Sequence, residues 1–93
     1  MNSRALVALN IRRIRVARGL SQEALAHEAV IDRSYMSRLE RGLENPTIGV
    51  LDRLAKVLQA PIVELFVPAS ASRVVENLKP GRKARKPPKR RQG

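Results

Sequence analysis

Ninety-three residues leave room for one small domain and a tail. The absence of cysteine excludes disulfides, thiolate metal sites and cysteine nucleophiles, and with a single histidine no metal or other cofactor is expected. The net charge of +11 sits largely at one end, since residues 79–93 carry eight basic and no acidic side chains while residues 1–78 carry eleven and eight, a balance that suits a polyanionic partner.

The apolar spacing predicts an all-α chain without strands. Val7, Ile11 and Ile14 recur at four and three residues, the face of a helix from about Ser3 to Arg18, and Gly19 ends it. Ser21 is the N-cap of a second helix with Leu25, Ala26 and Ala29 as its inner stripe. Val30 and Ile31 form a short link. Asp32 caps a third helix, from Arg33 to about Arg41, and sets a carboxylate at the positive end of its dipole. Gly42 terminates that helix, Asn45-Pro46 makes a turn, and Thr47 caps a fourth helix with Ile48, Leu51, Leu54, Ala55 and Leu58 on one face. Pro61 opens a short fifth helix to Phe66. Phe66 either completes the core of one chain or meets a second copy. Residues 1–67 therefore form the folded domain. Residues 68–78 read as a linker with a marginal helix at Arg73–Leu78. Residues 79–93, rich in charge and proline, read as a disordered basic tail.

The third helix carries the functional signal. At ~100° per residue, Arg33, Ser37, Arg41, Ser34 and Arg38 fill one arc of about 140°, with Met36 and Leu39 opposite and Tyr35 on the border. Arginine can make two hydrogen bonds to the major-groove edge of guanine, and serine can reach a base or a phosphate. Any surface helix has a polar face. The short helix that ends one tight turn earlier makes this one the second half of a helix-turn-helix. Nothing pairs a nucleophile with a base, and no glycine loop could cradle a phosphate, so no enzyme is expected; Ser34 and Ser37 read as contacts, and His27 as a surface histidine. No apolar run approaches the ~18 residues that cross a bilayer. The start Met1-Asn2-Ser3-Arg4 lacks the pattern of a secretory leader, so a cytoplasmic protein without a membrane partner is expected.

The runs Ile11-Arg12-Arg13-Ile14-Arg15, Gly19-Leu20-Ser21-Gln22-Glu23-Ala24-Leu25-Ala26, Ser37-Arg38-Leu39-Glu40-Arg41-Gly42, Asn45-Pro46-Thr47 and Leu54-Ala55-Lys56-Val57-Leu58 resemble the phage-repressor/Cro-type helix-turn-helix family, also called the XRE family, over about Leu6–Phe66. The segment Asp32–Ser37 also resembles restriction-modification controller proteins. The resemblance implies a compact five-helix domain and a transcription regulator, a repressor among other types. It would bind double-stranded DNA as a homodimer, on half-sites about one helical turn (~34 Å) apart. It implies that Gln22 contacts a phosphate, that Arg33, Ser34 and Arg38 read bases, and that Ser37 adds a contact. Tyr35 reaches a phosphate or a base, and Arg41 and Asn45 flank a loop that follows the DNA backbone. Arg15 and Glu40 match a family pair that joins the first helix to the third; the other reading of Arg15 is a phosphate contact.

Val30 and Gln59 stand where the family usually has glycine. A positive φ at Val30 would strain a β-branched residue; otherwise the turn opens and tilts the reading helix. Family members also serve as antitoxins, so a regulator that binds a protein toxin as well as DNA is a second reading, and polymerase is a further protein partner. A third is a non-specific nucleic-acid binder, because the tail can bind phosphates without reading sequence.

Overall fold

The computed structural model describes residues 2–68. Four α-helices, α1 (Ser3–Ala17), α2 (Gln22–Glu28), α3 (Arg33–Glu40) and α4 (Ile48–Leu58), are followed by a 3-10 helix, Ile62–Phe66, and no strand occurs among the described residues. The last element differs from the expected fifth helix. Pro61 is extended (φ −65, ψ 147) and stands outside it, and Glu64 N–H bonds back only to the Pro61 carbonyl, at 2.9 Å. A segment this short closes the tighter i→i+3 bond and stops. The expected linker from residue 69, the segment Arg73–Leu78 and the basic tail 79–93 lie outside the described residues.

Each α-helix begins on a side chain that accepts a backbone N–H three residues on. Ser21 accepts from Ala24 (3.0 Å), Asp32 from Tyr35 (3.1 Å) and Thr47 from Val50 (3.1 Å), and Asn2, not anticipated, accepts from Ala5 (2.9 Å). Each cap contributes about 1 kcal/mol by satisfying a donor that the helix itself leaves over.

All four helices also end alike. Gly19 (φ +73), Val30 (φ +56), Gly42 (φ +75) and Gln59 (φ +56) take the left-handed conformation. The N–H of the following residue then returns to a carbonyl five positions back: Leu20 to Arg15 (3.1 Å), Ile31 to Ala26 (2.8 Å), Leu43 to Arg38 (3.0 Å) and Ala60 to Ala55 (3.0 Å). This closure favours glycine, because a Cβ crowds the following carbonyl in the left-handed region. Val30 and Gln59 therefore keep the turn and accept strain. Nothing offsets it by packing at Val30, whose side chain is 79% exposed.

Ile11 and Ile14 from α1, Leu25 and Ala26 from α2, Met36 and Leu39 from α3, Leu51, Leu54 and Leu58 from α4 and Leu65 from the 3-10 helix close one core. Fully burying such an aliphatic side chain gains roughly 1.5–3 kcal/mol. α1 packs against the 3-10 helix, α3 and α4, while α2 packs against α3 and α4, so α3 rests on both α1 and α2. Leu65, not Phe66, completes this core; Phe66 remains 40% exposed. Ile48, expected on the inner stripe, is also exposed, and the buried stripe of α4 begins three residues later at Leu51.

Three polar side chains that sequence periodicity does not mark hold the elements together. Asn10, fully buried on α1, donates through Nδ2 to the carbonyls of Leu65 (3.0 Å) and Val67 (2.9 Å) and so ties down the 3-10 helix. Arg18 donates to the carbonyls of Leu58 (2.9 Å) and Gln59 (3.1 Å) at the end of α4. Arg53 donates to the Ala29 carbonyl (2.9 Å) at the end of α2. Both arginines satisfy acceptors that a helix C-terminus leaves open.

Candidate nucleic-acid interface

The end of α2, the elbow at Val30 and the start of α3 place two short helices in sequence, the second with an open outer face. Gln22, Arg33, Ser34, Ser37, Arg38 and Arg41 line one shallow concavity of about 490 Å³ on that face. Five of the six come from α3 or its C-cap and share the polar arc of the helical wheel. Gln22 joins them from the first turn of α2. Met36 and Leu39 on the opposite arc are fully buried.

Beneath the concavity a carboxylate joins three helices. Glu40, whose side chain is only 2% exposed, accepts from Arg15 Nε (2.6 Å), Arg15 Nη2 (3.0 Å) and Gln22 Nε2 (3.0 Å). Arg15 Nη1 donates in addition to the Leu20 carbonyl (2.8 Å). Two parallel N–H···O bonds between a guanidinium and a carboxylate are both strong and directional. The hub therefore fixes the rotation of α3 relative to α1 and α2, and Arg15 is committed to it. Gln22 spends one amide hydrogen on Glu40 and has another to offer outward.

The arginines on the outer face of α3 are held in different degrees. Arg38 Nε donates to Glu44 Oε2 at 2.6 Å. Arg33 lies 3.8 Å from Glu23, with both side chains mostly exposed. Arg41 Nε makes a long bond of 3.4 Å to the Ser37 carbonyl. Tyr35 is half-buried against the core, outside the concavity. Burial, and then the negative charge of Glu44, push its phenol above the usual tyrosine range of 10, while Arg38 opposes them. The phenol therefore stays protonated and able to donate at neutral pH. Asn45 also lies elsewhere, in a smaller groove of about 160 Å³ with Pro46, Ile48 and Phe66.

Glu44 is the residue at this face that the sequence reading missed. It lies six positions after Arg38, beyond the i+3 and i+4 neighbours of a helix. Its signal was an acidic residue just past a helix-ending glycine. Among the described residues, no group of three or more histidine, aspartate or glutamate side chains could hold a metal ion, and no helix is long and apolar enough to cross a membrane.

This arrangement of two helices, elbow and open polar face defines a helix-turn-helix domain. The helix-turn-helix family pattern matches residues 11–65, and the chain belongs to that family. The HTH-type transcriptional regulator y4dJ of Sinorhizobium fredii is 41% identical over 68 residues, which is 73% of this chain and 88% of the relative. The crystal structure of a hypothetical transcription factor from Neisseria superposes with a TM-score of 0.74 at 32% identity, over 80% of this chain and 85% of that one. The restriction-modification controller protein C.Esp1396I, crystallised as a tetramer in complex with its natural 35-base-pair operator, superposes with a TM-score of 0.65 at 35% identity, over 71% of this chain and 87% of that one.

Proposed function

We propose that the chain is a cytoplasmic transcription regulator that binds a two-fold operator in double-stranded DNA as a dimer. The third helix lies in the major groove. Arg33, Ser34 and Arg38 read base edges, with Ser37 beside them. Gln22, Arg41, Asn45 and Tyr35 hold the phosphates on either side, which sets the register of the reading helix. Binding is the whole mechanism, since occupancy of the operator blocks or recruits polymerase.

The observation that carries this reading is the convergence of three guanidiniums and two hydroxyls in one open concavity on α3, over a hub that fixes the helix. Guanidinium and hydroxyl groups are the donors that base edges and phosphates require. A relative of similar fold held on its natural operator supports operator DNA as the partner.

Selection from random duplex DNA with the full chain, at near-physiological salt, tests it. Enrichment of a two-fold motif with half-site centres about one turn (~34 Å) apart is expected. Protection of a single half-site would remove the dimer. Enrichment of no motif would remove sequence reading and leave the non-specific role.

A further inference from the structure

We infer that Glu44 is a specificity-determining positioning residue, which holds Arg38 so that its guanidinium reads guanine end-on. The inference rests on the reading of α3 as the recognition helix.

The contact is short, 2.6 Å from Arg38 Nε to Glu44 Oε2, and Glu44 is the less exposed partner, at 24% against 43%. The backbone builds it. Gly42 turns the chain back at φ +75, and the Leu43 N–H closes on the Arg38 carbonyl at 3.0 Å, which carries the next residue, Glu44, over the Arg38 side chain. Arg38 is also the arginine of the reading arc with a close carboxylate. Arg33 stands 3.8 Å from an exposed Glu23, and Arg41 has no carboxylate partner among the described residues.

A guanidinium offers five N–H donors in one plane. Glu44 occupies the Nε–H and orients that plane. The two terminal amines bond to no described residue, and Arg38 lines the concavity. Guanine presents O6 and N7 side by side in the major groove, while adenine, thymine and cytosine present no such pair of acceptors. With Nε taken, the pair is met through Nη1 and Nη2.

The carboxylate has a second effect. It cancels the charge of Arg38 locally and repels phosphate, so the side chain gains little by swinging to the DNA backbone. Glu44 thus gives up general attraction and gains discrimination.

The test uses the full chain and four proteins: wild type, Arg38→Ala, Glu44→Ala and Glu44→Gln. Dissociation constants are measured on the selected operator, on operators with single guanines replaced by adenine, and on unrelated duplex DNA. Melting temperatures confirm that each variant is folded. In the wild type, one guanine per half-site should be worth about tenfold or more, and Arg38→Ala should abolish that preference. Glu44→Ala should reduce the same preference to about twofold, with binding to unrelated DNA equal or tighter. Glu44→Gln keeps an acceptor for Nε–H and should recover part of it. The inference is overturned if Glu44→Ala tightens binding to all duplexes by one factor and leaves the guanine ratio at its wild-type value; Glu44 is then only a repelling charge. It is equally overturned if Arg38→Ala removes no guanine preference. A wild-type protein with no sequence preference overturns the recognition-helix reading itself, and is recognised before any variant is compared.

Discussion

Helix α3 carries two short arginine–glutamate pairs, and their surroundings set them apart. Glu40 points inward and meets Arg15 and Gln22 with its carboxylate nearly sealed from water. Arg38 points outward and meets Glu44 with both side chains partly solvated. The bond lengths are the same, 2.6 Å. Burial separates the pairs: breaking a sealed pair strands a charge, whereas a surface pair contributes little to stability and is free to serve recognition. One helix thus turns an architectural pair inward and a solvated pair outward within its last turn.

The largest effect should come from Glu40→Ala. It leaves the Arg15 guanidinium without its carboxylate and should lower stability by about 3 kcal/mol, measured by denaturant unfolding. A loss under 1 kcal/mol would erase the contrast between the pairs. Arg38→Ala comes next, and its effect belongs to binding. Operator affinity should fall by about 1–3 kcal/mol while unfolding shifts by no more than about 0.5 kcal/mol. A protein that unfolds more easily with unchanged affinity would reverse the assignment.

Gln22→Ala follows and touches both stability and binding. It removes one of three bonds to Glu40 and should cost about 1 kcal/mol in stability, with a modest loss of DNA affinity. Unchanged stability would place Gln22 wholly on the DNA side. The smallest change should be a gain: Val30→Gly relieves a β-branched residue at φ +56, the added freedom of the unfolded chain offsets part of this, and the net gain should be about 0.5 kcal/mol. Because the hub at Glu40 sets the angle of α3, base preference should not change. An altered motif would mean that the elbow, not the hub, aims the helix.

The short-range features were legible in the sequence. Ser21, Asp32 and Thr47 announce helix starts because a cap acts within three residues. The buried stripe of Ile11, Leu25, Leu39 and Leu54 follows from periodicity, and the polar arc of α3 from the same wheel. What escaped depends on contacts between distant segments. Asn10 looks like a break in an apolar face until the carbonyls of Leu65 and Val67 are seen above it. The sequence leaves Phe66 open between the core and a second copy, and Leu65 is the residue that fills the core, because a 3-10 helix turns every three residues and the inward position cannot be chosen with the α period. Asn45 sits in another groove rather than with Arg41, one residue after Glu44 has met Arg38, a divergence that follows from the path of the loop and not from spacing. Glu44 escaped because a pair six residues apart has meaning only after that turn is made.

Arg15, Arg18 and Arg53 aim their guanidiniums at a carboxylate or at backbone carbonyls of the same chain. They act as internal ligands for helix ends and for the hub. Formal charge therefore overstates how many counterions the folded body displaces when it settles on a duplex. Each phosphate neutralised adds about 0.9 to the log–log dependence of affinity on salt. With these three arginines committed inside the chain, the salt dependence of the domain should be shallower than its formal charge implies.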